Sequence, residues 1–114
     1  MEIKIILFWL LLTAMAVPSL YFGYTKLVSQ KDKIELFTRL GYPMWFMKLV
    51  GLGEVVSAFG LLFPQTRLLA IGITATILLG AIFSHIRAKD NLKEVMPPVF
   101  VFLHLTAIFI FTRI

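Results

Sequence analysis

The sequence contains no cysteine and few charged residues. The absence of cysteine excludes disulfide bonds, thiolate metal ligands and cysteine nucleophiles within the chain. Only 15% of the 114 residues are charged, whereas 60% are hydrophobic. A soluble domain is typically about 45–50% apolar, so this chain lacks the polar surface that a water-soluble fold needs. Its mean hydropathy of +0.93 indicates a membrane protein.

The sequence also lacks the short motifs of several large enzyme classes. It has no phosphate-binding glycine loop, no HExxH zinc motif and no GxSxG nucleophile turn. The net charge is +5, but the basic residues cluster between apolar segments and form no stripe interleaved with exposed aromatics. This pattern favours contact with lipid and argues against a nucleic-acid partner.

Four apolar segments are long enough to cross a bilayer, which requires about 20 helical residues. They cover residues 5–25, 44–63, 68–86 and 95–112, with a tight connection at residues 64–67. Pro97 and Pro98 fall in the first turn of the fourth segment, where missing N–H groups are tolerated. We therefore predict an all-α, polytopic transmembrane four-helix bundle that forms one domain over residues 1–114.

The first segment has a second interpretation as a cleavable signal peptide. Residues 14–16 read Ala-Met-Ala, which resembles a cleavage site. The uncharged stretch of residues 5–25 is longer than the usual apolar core of about 7–15 residues. Its length favours a retained membrane span.

The charged segment between the first two spans predicts either a short interfacial helix or an ordinary loop. A helix over residues 30–40 would place three apolar residues on one face: Ile34, Phe37 and Leu40. Ser29 and Asp32 have the spacing of a capping box, and Gly41 is a typical stop signal.

The distribution of lysine and arginine predicts the orientation in the membrane. The loops after spans one and three carry most of the cations, namely Lys26, Lys31, Lys33, Arg39, Arg87, Lys89 and Lys93. The opposite side carries Lys4, Arg67 and Arg113. By the positive-inside rule, we expect both termini outside the cytoplasm, in a protein of a bacterial inner membrane.

Small residues recur every four positions along the third span, at Gly72, Thr76, Gly80 and Ser84. A shorter row on the second span consists of Gly53 and Ser57. Small side chains let membrane helices approach closely. These residues form either a face for a second copy of the chain or a packing surface inside one bundle, and we favour the packing surface.

Glu54 is the strongest indication of a functional site. A carboxylate near mid-span costs about 2.5–3.5 kcal/mol on insertion scales, so it should face protein or water. Counting about 1.5 Å per residue places Glu54 and His104 at similar depth, which allows a hydrogen bond between them. Lys48 lies on the same helix, nearer its start.

His85 and Tyr24 lie near the same mouth of the predicted bundle as Lys48. We expect Glu54, His104, His85, Lys48 and Tyr24 to contribute to one ligand-binding site. For each histidine alone, a structural hydrogen bond is the alternative role. The spacing of the two histidines and Glu54 does not support a metal site.

Several motifs resemble the DoxX-like family. They are Phe37-Thr38-Arg39-Leu40-Gly41-Tyr42-Pro43, Gly51-Leu52-Gly53-Glu54, Gly60-Leu61-Leu62-Phe63-Pro64 and Gly80-Ala81-Ile82-Phe83-Ser84-His85. The resemblance extends over about residues 37–102. It implies a four-helix membrane bundle with Glu54 and His85 as its characteristic polar positions. Some family members are linked to quinone-dependent sulfur oxidation or oxidative-stress complexes, and distant relatives to assembly or trafficking of membrane proteins.

Three functions remain compatible with the sequence. The first, which we favour, is a non-catalytic module that binds a lipophilic small molecule or a membrane-protein partner around Glu54. The second is a quinone-linked oxidoreductase subunit in which Glu54 and a histidine relay protons, with quinone as the candidate cofactor. The third is a small proton-coupled transporter that uses a membrane carboxylate.

Overall fold

The computed structural model describes residues 2–113 and contains five α-helices within them. They are α1 (Glu2–Leu27), α2 (Lys31–Leu40), α3 (Met44–Leu61), α4 (Pro64–Arg87) and α5 (Leu92–Arg113). All except α2 are long and apolar enough to cross a membrane. The predicted all-α fold with four spans is confirmed, and the segment after the first span forms a helix.

The four long helices form a ring in which each helix contacts two others. α1 packs most extensively on α3 and also on α5, while α4 packs on α3 and α5. Successive spans run in opposite directions, so all four pairs of neighbours are antiparallel. We call the end that carries α2 and the α4–α5 loop the α2 end, and the opposite end the termini end.

The third and fourth spans begin earlier than predicted, because each helix includes polar residues that precede the apolar segment. α4 begins at Pro64, so the predicted connection at residues 64–67 is instead its first turn. The Thr66 hydroxyl and the Arg67 guanidinium donate hydrogen bonds of 2.8 and 2.7 Å to the carbonyls of Gly60 and Leu61, which end α3. These bonds satisfy carbonyl groups that a helix end leaves without partners.

The fourth span begins at Leu92 and not near Val95, because Asn91 caps it. The Asn91 side-chain oxygen accepts a hydrogen bond of 3.3 Å from the Glu94 backbone N–H. Asparagine is among the preferred N-cap residues. Pro97 and Pro98 consequently lie in the second turn of α5, within the helix.

Three helices end in the same turn, with one residue in the left-handed backbone region. Gly41 after α2, Ser29 after α1 and Lys89 after α4 have φ values of 89°, 57° and 59°. In each turn the next residue donates its N–H to a carbonyl five residues back, the pattern of a Schellman motif. The predicted capping box at Ser29 is therefore wrong, since Ser29 terminates α1 and no side chain caps α2. The stop signal at Gly41 is confirmed.

The apolar core lies toward the termini end of the ring. Its buried side chains are Leu12, Met15, Leu61, Ala70, Ile71, Leu105 and Ile108. Most other large apolar side chains on the four spans point outward and are exposed. Such an outer surface is stable in hydrocarbon and not in water, so the chain is an integral membrane protein.

Candidate functional site

Two glycines face each other at a close contact between α1 and α3. A Cβ atom built on Gly23 would lie 2.7 Å from the carbonyl oxygen of Gly51. A Cβ on Gly51 would lie 2.8 Å from the carbonyl oxygen of Gly23. Neither position tolerates a side chain without movement of the backbone. The two glycines therefore set the distance between α1 and α3.

Beside this glycine contact, a lysine and a glutamate form an ion pair between the same two helices. The Lys26 Nζ lies 2.9 Å from the Glu54 Oε1, and the two side chains are 11% and 18% exposed. We call Lys26 and Glu54 the inner ion pair. Glu54 thus faces protein and not lipid, as its desolvation cost requires.

The opposite directions of α1 and α3 explain why these two side chains meet. Helical side chains lean toward the N-terminus of their own helix. Lys26, in the last turn of α1, therefore leans into the membrane. Glu54, on the antiparallel α3, leans toward the α2 end. The hydroxyl of Ser19 adds a hydrogen bond of 3.0 Å to the backbone carbonyl of Glu54.

An aromatic ring and a second lysine lie beside the inner ion pair. The Lys26 Nζ is 5.7 Å from the centroid of the Phe22 ring, and the Lys33 Nζ is 4.9 Å from the same centroid. Both distances are in the range of cation–π contacts. The Lys33 ammonium also acts electrostatically on the Glu54 carboxylate. Thus α2 brings a positive charge to the inner ion pair.

His104 does not pair with Glu54, although the estimated depths allowed it. Its Nε2 lies 3.0 Å from the backbone carbonyl oxygen of Leu11 on α1. A carbonyl oxygen only accepts, so Nε2 is the donor in this bond. Depth counted along a helix gives no information about rotation around it, and rotation directs His104 to α1. His104 thus joins α5 to α1.

A second polar cluster lies at the surface of the α2 end. Asp90, in the α4–α5 loop, receives two hydrogen bonds of 2.6 and 3.2 Å from Arg39 of α2. The other contact of Asp90 is with His85, whose Nδ1 lies 2.5 Å from Oδ2. We call Arg39, Asp90 and His85 the loop cluster. It ties α2 to the loop between α4 and α5.

The loop cluster favours the charged form of Asp90. Hydrogen bonds, first from Arg39 and then from His85, lower the pKa of the Asp90 carboxyl below its ordinary value. The same contact raises the pKa of Arg39. Asp90 therefore remains ionised under all but strongly acidic conditions.

Two further contacts reinforce this attachment of α2. Arg87 donates a hydrogen bond of 2.6 Å to the carbonyl of Leu40, the last residue of α2. The hydroxyls of Tyr42 and Ser84 lie 2.7 Å apart. Sequence reasoning missed this network, although Arg39, Asp90 and Arg87 all stood in the loops predicted to share one side of the membrane.

The remaining two residues of the predicted ligand site, Lys48 and Tyr24, are both exposed, and Tyr24 is 61% exposed. His85 lies in the loop cluster. Of the five predicted residues, the structure places only Glu54 in the inner ion pair. From the sequence, its partner Lys26 is placed only among the loop cations.

The small-residue rows divide between the inside and the outside of the bundle. Gly53 packs against Ile77 of α4, and Ser57 is buried. Ser84 is also buried, where its hydroxyl meets that of Tyr42. In contrast, a Cβ on Gly72 or Gly80 would meet no described atom within 4 Å, and Thr76 is exposed. The favoured interpretation of one internal packing surface is therefore wrong for Gly72, Thr76 and Gly80, because α4 turns this face outward.

The family model of the DoxX-like family matches residues 10–109. The chain belongs to the DoxX-like family. This match extends well beyond the resemblance seen at residues 37–102 and includes parts of all five helices. Searches of curated proteins and of solved structures found no match.

Two grooves on this DoxX-like bundle are apolar and lie beside α4, and the inner ion pair does not line either of them. One, of about 280 Å³, is lined by parts of α3 and α4 that include Ser57, Gly60 and Ala70. The other, of about 560 Å³, borders Gly72 and Thr76. Among residues 2–113, no three His, Asp or Glu side chains converge closely enough to hold a metal ion.

Proposed function

We propose that this DoxX-like protein is a non-catalytic membrane module that binds a lipophilic small molecule at the inner ion pair. The proposal rests on the 2.9 Å contact between Lys26 Nζ and Glu54 Oε1 inside two membrane-spanning helices. The two side chains are 11% and 18% exposed, so the bundle does not completely enclose them, although the Glu54 Oε1 atom itself is buried.

An ion pair is an unfavourable way to join two helices in lipid. A charged group such as the Glu54 carboxylate costs about 2.5–3.5 kcal/mol near mid-span, and apolar replacements of a buried ion pair are often as stable or more stable. The α1–α3 contact already has close backbone packing at Gly23 and Gly51. Ligand recognition gives these two charges a role that helix packing does not require.

The chemistry of the pair defines the ligand that it suits. The Lys26 ammonium has three N–H donors, and the Glu54 carboxylate has two acceptor oxygens. A ligand with a polar head and an apolar body can bond to this pair while its body remains in the lipid. A quinone meets this description through its carbonyl acceptors, so we propose quinone as the first cofactor class to test.

The geometry favours binding over a proton relay. His104 bonds to the Leu11 carbonyl and His85 to Asp90, so both histidines contact groups other than Glu54. A quinone-linked oxidoreductase subunit or a proton-coupled transporter would need a further proton path from Glu54.

As an alternative to a small-molecule ligand, we also propose that a membrane-protein partner or a second copy of the chain binds to α4. The outward face of α4 at Gly72, Thr76 and Gly80 supports this, because small side chains allow another helix to approach closely.

For the orientation, we propose that the α2 end faces the cytoplasm of a bacterium. That end carries the larger group of cations, namely Lys26, Lys31, Lys33, Arg39, Arg87, Lys89 and Lys93. The positive-inside rule then puts both termini outside, in the inner membrane. Cysteine labelling tests this directly, because a single cysteine placed in this cysteine-free chain reports its side of the membrane.

Native mass spectrometry from mild detergent tests the binding function. Wild-type protein should retain a lipophilic molecule or bind an added short-chain quinone, and Glu54→Leu should lose most of that binding. The matched control is Glu35→Gln, which changes an exposed acid on α2. Circular dichroism should show unchanged helix content for both variants.

Two results would contradict the proposal. If Glu54→Leu keeps all binding, the site does not involve the inner ion pair. If wild-type protein binds neither lipid, quinone nor partner protein, the binding function itself is wrong.

A further inference from the structure

Two lysine side chains from different helices converge on the Phe22 ring. The Lys26 and Lys33 ammonium groups lie 5.7 and 4.9 Å from its centroid, and one carboxylate, Glu54, neutralises only one of them. Among residues 2–113, no carboxylate lies within ion-pair distance of the Lys33 ammonium. Asp32 and Glu35 balance the total charge of α2 here, but the Lys33 ammonium has no ion-pair partner of its own within these residues and remains open to an external anion.

An exposed apolar strip runs along α1 from Phe22 toward the bilayer interior. Ala14 and Pro18 precede Phe22 at intervals of four residues, so the three share one helix face, and all three are exposed. Small side chains on this face leave room for an acyl chain to lie against the helix. The strip leads from the bilayer interior to the two ammonium groups.

We propose that Lys33, Lys26 and Phe22 bind the anionic phosphate headgroup of a membrane lipid. The lipid phosphate accepts hydrogen bonds from the two ammonium groups, and its acyl chain follows Pro18 and Ala14. This inference rests on the proposed function, since it uses the same inner ion pair and specifies the class of lipophilic ligand. Glu54 acts as a positioning residue, because its carboxylate holds the Lys26 ammonium beside Phe22.

Lipid retention in native mass spectrometry tests the site. The protein is reconstituted in equal amounts of phosphatidylglycerol and phosphatidylcholine, and bound lipid is counted after release. Wild-type protein should retain phosphatidylglycerol preferentially. Lys33→Gln should reduce this retention about fivefold, since one cation near an anionic surface contributes about 1 kcal/mol. Phe22→Leu should reduce it by a smaller factor, because the ring no longer holds the ammonium groups.

Lys31→Gln is the matched control. It removes the same charge from the same helix. Lys31 is exposed and lies two residues from Lys33, and side chains at this spacing do not share a helix face. We expect less than a twofold change. Equal losses for Lys31→Gln and Lys33→Gln would overturn the site, because the lipid would then respond only to total charge. Equal retention of both lipids by wild-type protein would overturn it as well.

Two further measurements separate the possible failures. Inorganic phosphate at about ten millimolar should not displace the lipid, and full displacement would show that a free anion is the ligand and overturn the lipid assignment. If Lys33→Gln and wild-type protein bind quinone equally and show no lipid preference, the headgroup inference fails while the proposed function stands. If Glu54→Leu keeps all ligands, the proposed function fails.

Discussion

The inner ion pair and the loop cluster have similar chemistry in different surroundings. In both, a carboxylate meets a basic side chain on another helix at hydrogen-bonding distance. Lys26 and Glu54 lie between two membrane spans, whereas the loop cluster lies at the end of the bundle, where Arg39 is 48% exposed and Asp90 is 10% exposed. The comparison indicates that the loop cluster attaches α2, while the inner ion pair is costly enough to need a functional explanation.

Breaking the inner ion pair should have the largest effect on stability. Lys26→Met leaves the Glu54 carboxylate without its cation, and we expect a loss of about 3 kcal/mol. Glu54→Leu should cost less, about 1 kcal/mol, because Lys26 lies in the last turn of α1 and its ammonium can extend to the interface. Unfolding by dodecyl sulfate in mixed micelles, followed by circular dichroism, measures both.

The double variant sharpens this prediction. Lys26→Met with Glu54→Leu should recover most of the loss, because two apolar side chains replace two charges. A double variant less stable than Lys26→Met would show that the pair itself stabilises the bundle, and the contrast with the loop cluster would disappear.

The glycine contact that positions the inner ion pair should give the next largest effect. Gly23→Ala places a Cβ against the Gly51 carbonyl, and such overpacking costs about 1–3 kcal/mol, which the better helix propensity of alanine only partly offsets. Gly72→Ala is the control on the open face of α4, where alanine should stabilise by about 0.5–1 kcal/mol. The same unfolding assay compares them. Equal effects of the two substitutions would contradict the close α1–α3 approach.

Acid should weaken the attachment of α2 by the loop cluster, because the pKa of Asp90 is lowered in the folded protein. Arg39 and then His85 lower this pKa, so the stabilisation is fully present above the unfolded value of about 3.9 and disappears as the pH falls through the folded value. Hydrogen-exchange protection of α2 should therefore fall severalfold on acidification below about pH 4.

Asp90→Asn tests whether this pH response comes from the loop cluster. The variant should show low protection of α2 already at neutral pH and little further change in acid. Asp32→Asn, which alters an exposed acid on α2, should behave like wild-type protein. An unchanged acid response in Asp90→Asn would assign the effect to another group.

The turn that presents Asp90 should give the smallest effect. Lys89 has a φ of 59°, which costs a side-chain-bearing residue about 1 kcal/mol relative to glycine. Lys89→Gly should therefore stabilise the protein by up to about 1 kcal/mol, whereas Ala88→Gly, next to it in right-handed geometry, should not. Thermal unfolding in detergent distinguishes the two. A destabilised Lys89→Gly would indicate that the lysine side chain has a contact of its own.

The sequence predicted the spans well, because each span is a continuous apolar segment whose length can be read directly from the sequence. It did not predict the partner of Glu54, because residue counting gives depth but not rotation around each helix. Lys26 was not identified as this partner because it lies at the end of a span, where a lysine usually indicates the orientation of the protein in the membrane. Gly23 and Gly51 form no repeated row, whereas the conspicuous Gly72 and Gly80 face outward.

The two tryptophans of the chain lie at opposite ends of the bundle. Trp9 is in the first half of α1, near the termini end, with the Arg67 guanidinium 5.8 Å from its ring. Trp45 lies in the first turn of α3 at the α2 end and is 67% exposed. Each indole is thus an intrinsic fluorophore for one end of the molecule. Trp9→Phe and Trp45→Phe would give emission spectra that follow local melting, quenching or lipid exchange at either end without any added label.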